Sequence, residues 1–200
     1  MTEYEIDYGT FIGGWYMSED VCDSVIDVLN SEQHKLVDGE LGVEDGGHYE
    51  EARVNTDFKK CKELFVYPNE FEKISPYIFN LAECLELYKK RYPWADKVGA
   101  YSLKSNAMKI QHYGPGDGFY KWHAENVGEG NTLYRHLAFM TYLNTLDNAG
   151  TEFFHQNITT PCQKGLTIIW PVAWTHTHRG VVNHVGHKYI ETGWYNFYDQ

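Results

Sequence analysis

Residues 108–125 read MKIQHYGPGDGFYKWHAE, a stretch that joins a strand-like segment, a turn and a pair of potential metal ligands. The composition GPGDG is typical of a turn. In an extended chain, residues i and i+2 point to the same face, so His123 and Glu125 would present an imidazole and a carboxylate side by side. A His-x-Glu pair occurs by chance in many proteins, so its meaning depends on the rest of the chain.

From about Tyr101 onward the sequence consists of short segments that are rich in β-branched and aromatic residues. The predicted strands are 102–113, 133–144, 165–170, 174–180 and 187–198. Turn compositions lie between them and read GPGDG, NVGEGN, TLDNAG and NHVG. A series of strands closed by turns predicts a sandwich or barrel in this half of the chain.

The first half is predicted to be mostly helical. Ser18 followed by Glu19 and Asp20 is typical of a helix N-terminus. The apolar residues of this helix share one stripe, namely Val21, Val25, Val28 and Leu29. A second helix is predicted over about residues 70–91, where apolar residues recur at threes and fours before Pro93 ends it. The segments GVEDGG and YPNE are predicted to be loops.

Helices followed by strands predict an α+β fold. At 200 residues, without repeats or a Pro/Gly/Ser-rich linker, the chain is expected to form a single domain, 1–200. Within it, residues 1–100 are expected to be mostly helical support, and residues 101–200 are expected to form the β core with the metal site.

Composition and charge narrow the classes of partner. The net charge is −11, with 17 Lys and Arg against 28 Asp and Glu, so nucleic acid is disfavoured as the main substrate. No window resembles a membrane span or a signal peptide, and we expect a soluble cytoplasmic protein. The four cysteines contain no CxxC pair and are expected to be reduced and buried. They are Cys22, Cys61, Cys84 and Cys162.

Ten histidines have to be sorted, because a lone histidine is usually structural. Five have no companion at ligand spacing and are interpreted as structural, namely His34, His48, His136, His155 and His187. The segment WTHTHRG at 174–180 offers His176 and His178 on one strand face, and either could join His123 and Glu125. Two histidines and one carboxylate form the facial triad of non-heme Fe(II) oxygenases.

The region from about Met108 to Tyr198 resembles the Fe(II)/2-oxoglutarate-dependent oxygenases, specifically their prolyl 4-hydroxylase-like branch. Members of that branch have H-x-D, then an H-x-G-like segment, then a Lys or Arg nine or ten residues later. Here the segment QHYGPGDGFYKWHAE is similar to the first motif, and His178-Arg179-Gly180 is followed by Lys188. This spacing favours His178 over His176 as the third ligand, and His176 and His112 are expected to support the site or the fold.

The resemblance implies a double-stranded β-helix (jelly roll) core, buttressed by N-terminal helices. It implies that His123, Glu125 and His178 bind Fe(II), with 2-oxoglutarate and O₂ as co-substrates and ascorbate as a further small-molecule partner. The residues it assigns to 2-oxoglutarate binding are Lys188, Tyr113, Tyr120, Tyr142 and Trp194. Arg135 matches an arginine that faces the substrate groove.

Strand periodicity agrees with part of this assignment. Lys188, Ile190, Thr192 and Trp194 share one face of the last predicted strand. A lysine among apolar neighbours needs an anionic partner, and a dicarboxylate provides one. Arg135 and Tyr142 are an odd number of residues apart, so Arg135 must lie at a strand end, follow a bulge or be unrelated to the site.

The sequence departs from the branch at two positions. Glu125 stands where most members have Asp, and its extra methylene changes the reach of the carboxylate. Glu152 follows Gly150-Thr151 where the branch usually reads G-G-x-T, and it would add negative charge near the site.

We therefore expect a dioxygenase that hydroxylates a C–H bond, with a prolyl residue of a peptide or protein as substrate. The acidic balance of the chain argues against a nucleic-acid dealkylase of the same superfamily. Hydroxylation of a free amino acid or other small molecule stays open, as does a non-catalytic jelly-roll binding module. Oligomeric state is not indicated by the sequence.

Overall fold

The computed structural model describes residues 1–41, 53–102 and 107–197. Within these residues there are two α-helices, α1 (Glu19–Ser31) and α2 (Ser75–Arg91). The strands, in chain order, are β1 (Thr2–Glu3), β2 (Gly13–Tyr16), β3 (Val37–Asp38), β4 (Glu40–Leu41), β5 (Arg53–Val54), β6 (Lys59–Lys60), β7 (Lys62–Val66), β8 (Tyr101–Ser102), β9 (Met108–Tyr113), β10 (Gly118–Phe119), β11 (Arg135–Tyr142), β12 (Leu146–Phe153), β13 (Ile158–Cys162), β14 (Leu166–Pro171), β15 (His178–Gly180) and β16 (Lys188–Phe197). Short 3₁₀ turns cover Tyr8–Thr10, Gln33–Lys35, Pro68–Ile74, Pro93–Asp96, Gly130–Tyr134 and Trp174–His176.

The first predicted helix is confirmed as α1, with Ser18 at its N-cap and Glu19 and Asp20 in the first turn. The second begins later than predicted, because residues 68–74 form a 3₁₀ turn and the α-helix starts at Ser75. Pro76 stands in the first turn of α2, where its missing N–H costs no hydrogen bond. The predicted loop GVEDGG lies outside the described residues.

A nine-stranded antiparallel sheet, the major sheet, forms the centre of the fold. Its strand order is β1-β2-β14-β11-β16-β9-β7-β3, with β8 also paired to β16. A smaller antiparallel sheet, the minor sheet, has the order β13-β12-β15. Two facing antiparallel sheets, with helices packed on the outer side of the larger one, form the jelly roll that was predicted.

The alternation of side chains along β11 divides the apolar interior in two. Leu137 and Phe139 point toward α1 and α2, where the first cluster of buried side chains lies. Met140 and Tyr142 point to the other side, into a second cluster between the sheets that includes Phe153 from β12. The helices therefore pack on one face of β11, and the second cluster lies on its opposite face.

Two predicted features of the chain are wrong in detail. The segment TLDNAG at 145–150, predicted to be a turn, lies mostly in β12. Asn148 has a left-handed backbone (φ 52°), and the pairing of β12 with β13 shifts register between Leu146 and Thr151, so a bulge accommodates this turn-like composition. The segment 174–180 is only half strand, since residues 174–176 form a 3₁₀ turn before β15.

The first hundred residues are also less helical than predicted. They supply β1, β2, β3 and β7 to the major sheet in addition to the two helices. The four cysteines are free and buried, as expected. Neither described helix has the length and apolar character that crossing a membrane requires.

Candidate metal centre and its cavity

Backbone pairing between His123 and His178 brings the two sequence-distant motifs together. The N–H of His123 donates to the carbonyl of His178 at 3.0 Å, and the N–H of His178 donates to the carbonyl of His123 at 2.9 Å. Glu125 follows two residues later and reaches the same side. One donor atom from each of these three side chains lies within 4.8 Å of the other two.

The imidazole rings are oriented by backbone carbonyls. The Nδ1 of His123 is 3.1 Å from the carbonyl oxygen of Lys121, and the Nδ1 of His178 is 2.9 Å from that of His176. A carbonyl can only accept, so each Nδ1 carries the proton and each Nε2 is left as a ligand atom. Phe119 stacks on His123 with ring centroids 3.6 Å apart.

The two carboxylate oxygens of Glu125 contact different groups. Its Oε1 lies 3.7 Å from Nε2 of His123 and 3.3 Å from Nε2 of His178. Its Oε2 accepts a hydrogen bond from Nε1 of Trp194 at 2.9 Å and one from Nη1 of Arg135 at 3.4 Å. Arg135 also donates to the Glu125 carbonyl at 2.7 Å and lies over the Trp194 ring at 3.6 Å.

The protonation states of His123 and Glu125 favour binding of a metal cation. Burial lowers the pKa of His123, and the neighbouring His178 lowers it further. Burial alone would raise the pKa of Glu125, but the adjacent imidazoles of His123 and His178 outweigh it and hold the pKa well below its ordinary value. A neutral imidazole and an anionic carboxylate are the forms that bind a divalent metal.

The ring of His176 has hydrogen-bond partners outside the three candidate ligands. Its Nε2 lies 2.9 Å from the carbonyl of Thr10, and its Nδ1 lies 3.0 Å from the hydroxyl of Thr175. Because His176 ends a 3₁₀ turn, it does not share a strand face with His178, contrary to the expectation from the sequence. Its contribution to the site is the carbonyl that orients the His178 ring.

A cavity of about 930 Å³ opens over the three donors. Its floor is formed by alternate residues of β9 and β16, and its far wall by the minor sheet. Lys188, Ile190, Thr192 and Trp194 line it together, which confirms that they share a face.

Lys188 is buried at one end of this cavity, with 6% of its surface exposed. Its Nζ donates to the carbonyl of Ala149 at 3.2 Å and lies 4.9 Å from the centre of the Tyr113 ring. No carboxylate of the described chain lies within 4.0 Å of it. Burial without an acidic partner lowers the pKa of Lys188 to about 8. A carboxylate from a ligand would supply the acidic partner that Lys188 lacks among the described residues.

Space for such a ligand is left by Gly180. A side chain at this position would place its Cβ 3.4 Å from Nζ of Lys188. Gly180 lies two residues after His178 on β15, so about 7 Å of strand separates the metal ligand from the lysine end. That span suits a short dicarboxylate that reaches from a metal to Lys188.

The other residues expected at the co-substrate site are placed differently. Tyr113 lines the cavity, but its hydroxyl donates to Oε1 of Gln111 at 2.8 Å. Tyr142 lies behind the wall, where its hydroxyl is 2.8 Å from Oγ1 of Thr151, and Thr151 is the residue that lines the cavity. Tyr120 is not on the wall and donates to the carbonyl of Gly116. Trp194 lines the cavity and holds Glu125.

Arg135 resolves the question raised by strand parity. It is the first residue of β11, and the pairing of β11 with β16 shifts register between Arg135 and Leu137. A strand end and a bulge together turn its side chain toward the cavity. Glu152, in contrast, forms an ion pair with Nε of Arg179 at 2.6 Å and does not line the cavity.

Several cavity residues were missed in the sequence. Lys109 and Gln111 share a face of β9 with Tyr113, and the same period of two would have found them. Lys59, Phe119, Trp122 and Thr151 also line the cavity. Lys59 comes from a two-residue strand, where no pattern separates a cavity residue from a surface one.

Two histidines and a carboxylate that converge beside the minor sheet of a jelly roll are the donor set of non-heme Fe(II) oxygenases. The sequence profile of the 2OG-Fe(II) oxygenase superfamily matches residues 108–196, which contain all three donors. This match to residues 108–196 confirms the resemblance that the sequence motifs indicated. The superfamily uses Fe(II), 2-oxoglutarate and O₂, and the donor set and the buried Lys188 fit that requirement.

Solved structures with the same fold include three prolyl hydroxylases. The viral collagen prolyl hydroxylase of Paramecium Bursaria Chlorella virus-1, in complex with 2OG, has a TM-score of 0.68 at 16% identity and covers 98% of this chain and 100% of its own. A Pseudomonas putida prolyl-4-hydroxylase has a TM-score of 0.67 at 11% identity, covering 94% and 93%.

The third is a prolyl hydroxylase from Trichoplax adhaerens, in complex with a peptide fragment of the hypoxia inducible factor oxygen degradation domain. It has a TM-score of 0.69 at 15% identity and covers 94% of this chain and 84% of its own. No curated protein matches the sequence significantly.

Proposed function

We propose that this oxygenase hydroxylates a prolyl residue within a peptide, and that His123, Glu125 and His178 are its iron ligands. The observation that carries the ligand assignment is the convergence of two Nε2 atoms and Oε1 on one point. The other polar atom of each side chain is already hydrogen-bonded. Nδ1 of each imidazole is bonded to a backbone carbonyl, and Oε2 of Glu125 is bonded to Trp194. Such ligands are held before the metal arrives, which raises affinity.

The remaining residues position the co-substrate. Lys188 would pair with the far carboxylate of 2-oxoglutarate, since it has no acidic partner of its own among the described residues. Thr151 would add a hydroxyl at the same end, held in place by Tyr142. When bound, iron together with 2-oxoglutarate and O₂ supplies the C–H hydroxylation. The protein contributes orientation, a cation for the dicarboxylate and a wall that limits water.

Aromatic side chains at the cavity support a peptide substrate. Phe58 and Trp122 line it while remaining 39% and 38% exposed, and Phe119 and Trp194 lie deeper. Proline rings pack well on aromatic faces, and an extended peptide presents them at regular intervals. The shared fold with prolyl hydroxylases, one of them bound to a peptide, points to the same class of substrate.

The test is a panel of proline-containing peptides, free amino acids and oligonucleotides, assayed with Fe(II), 2-oxoglutarate and ascorbate. Succinate formation is measured together with mass spectrometry of each substrate. We expect stimulated succinate formation and the gain of one oxygen atom on proline within peptides. Turnover of free amino acids alone would replace the proposal with a small-molecule hydroxylase. A complete lack of turnover with correctly bound metal would favour a binding module.

A further inference from the structure

The cavity wall is rich in cations, although the chain as a whole carries a net charge of −11. Among the described residues that line it are four cationic side chains, Lys59, Lys109, Arg135 and Lys188, but only one carboxylate, Glu125. Arg135 donates hydrogen bonds to Glu125, and Lys188 lies at the end of the cavity where 2-oxoglutarate is proposed to bind. Lys109 has no part in the mechanism proposed above.

Lys109 is weakly paired for a cation in its position. Its side chain is 16% exposed, and its single ionic contact in the described chain is with Oε2 of Glu63, at 3.4 Å. Glu63 also accepts hydrogen bonds from Lys59 and Gln111. Burial lowers the pKa of Lys109 in spite of Glu63, so the nearby carboxylate only partly offsets the loss of water.

Lys109 and Lys188 are too far apart to bind the same small anion. On the major sheet, Lys188 lies opposite Tyr113 and Lys109 lies opposite Thr192. The four-residue step from Lys109 to Tyr113 along β9 corresponds to about 14 Å. A five-carbon dicarboxylate held between iron and Lys188 therefore leaves Lys109 free for a second ligand.

The position of Lys109 relative to the metal centre suggests what that ligand is. Its Nζ lies 6.0 Å from the Trp194 ring, and Trp194 donates to Glu125. Lys109 thus lies toward the Trp194 end of the same open cavity, away from Lys188. A substrate that occupies this end of the cavity, next to the metal ligands, would therefore lie near its ammonium group.

We propose that Lys109 binds a carboxylate of the substrate, and that the preferred peptide carries Asp or Glu next to the target residue. This inference rests on the proposed peptide hydroxylation and deepens it, because it assigns the substrate an acidic neighbour. The chemistry recognised is a carboxylate, so a small acid or amino acid could supply the same group, and the experiment has to separate these sources.

The test compares matched peptides in which the target proline is flanked by Glu, by Gln or by Lys. With wild-type enzyme, we expect kcat/KM for the Glu peptide to exceed that for the Gln peptide by about tenfold or more, with the Lys peptide lowest. This comparison needs no variant, so it does not depend on how a mutation affects folding.

Lys109→Met then removes the charge while keeping an unbranched side chain, and Lys109→Arg keeps the charge. We expect Lys109→Met to reduce the Glu-to-Gln ratio to near 1, and Lys109→Arg to retain the preference. The KM for 2-oxoglutarate and the metal content should not change. Lys90→Met, at an exposed position of α2, is the matched control and should keep the wild-type ratio.

A wild-type ratio near 1, or an undiminished ratio in Lys109→Met, overturns the inference. So does a Lys109→Met variant whose main defect is a raised KM for 2-oxoglutarate. If only free acids are hydroxylated, the peptide function fails, and each acid is compared with its amide. Loss of the acid preference in Lys109→Met would then uphold the carboxylate site, and an equal preference in both enzymes would reject it.

Discussion

Glu125 shows why a longer carboxylate can serve at this metal centre. One of its oxygens faces the two imidazoles, and the other is held by Trp194 and Arg135. The extra methylene, compared with Asp, lets the side chain reach between these two groups. Where most members of the branch have Asp, this chain therefore has Glu together with hydrogen bonds from Trp194 and Arg135 that hold its second oxygen.

Trp194→Phe should weaken metal binding while leaving the ligands in place. The substitution removes the indole N–H that fixes Oε2 of Glu125, and loss of such outer contacts typically costs about 10- to 100-fold in affinity. Titration with Fe(II) or Mn(II) under anaerobic conditions measures the effect. Trp94→Phe, at a position 79% exposed, should leave the affinity unchanged. Equal affinities of the two variants would contradict the role assigned to Trp194.

The proposed pairing of Lys188 with 2-oxoglutarate predicts that co-substrate binding depends on pH. Its pKa is lowered to about 8 by burial, so it is charged below that pH and neutral above it. We expect kcat/KM for 2-oxoglutarate to fall as pH rises through about 8, because the neutral amine no longer attracts the carboxylate. In Lys188→Ala this dependence should vanish, with a loss of roughly 2–5 kcal/mol in 2-oxoglutarate binding. An unchanged pH profile in that variant, at unchanged metal affinity, would argue against the assignment.

The convergence of His123, Glu125 and His178 was predictable from the sequence, whereas the polar cavity wall was only partly so. His123 and Glu125 follow from strand parity, and His178 follows from its spacing to Lys188. The tyrosines were harder, because a motif match does not show whether a hydroxyl reaches the cavity. Tyr142 reaches Thr151 instead, and Tyr120 reaches a backbone carbonyl. Lys59 comes from a part of the chain with no periodic pattern.

At the scale of elements, β12 shows that a segment with the composition of a turn can form a strand. The segment LDNAG contains turn-forming residues, and yet it pairs with β13 and continues into a strand that also pairs with β15. Tertiary contacts decide the outcome, since Ala149 and Phe153 are buried between the sheets. Gly150 is required there, because a Cβ would lie 1.7 Å from the carbonyl oxygen of Thr160.

The outer face of β16 carries an unusual buried acid. Glu191 is fully buried, and neither of its carboxylate oxygens has a hydrogen-bond partner in the described part of the chain. Burial raises its pKa well above the ordinary value, which favours the protonated, neutral form in the folded protein. The unfolded chain releases this proton above about pH 4.5, and stability is therefore lost as pH rises toward the folded pKa.

Glu191→Met should stabilise the protein, and the gain should be larger at pH 8 than at pH 5. The substitution removes the cost of keeping a carboxyl group protonated, which grows by at most about 1.4 kcal/mol per pH unit. Urea denaturation at both pH values measures the free energy of unfolding. Glu72→Met, at an exposed site, is the control and should show no such dependence. A gain that is equal at the two pH values would show that Glu191 ionises normally.

Across the whole molecule, the two halves of the chain depend on each other more than the sequence indicated. The first hundred residues contribute four strands to the major sheet, and Lys59 from β6 lines the cavity. These strands are two to five residues long, too short for a clear period-two signal. The jelly roll was predictable from the second half because its long strands and spaced motifs lie there.

The most direct test of the central assignment is a crystal structure with Mn(II) and 2-oxoglutarate, using anomalous scattering to locate the metal. We expect one metal ion bound by Nε2 of His123, Oε1 of Glu125 and Nε2 of His178, and a 2-oxoglutarate carboxylate paired with Lys188. A metal bound by His176 in place of His178, or a 2-oxoglutarate carboxylate that pairs with Lys109 instead of Lys188, would contradict the assignment.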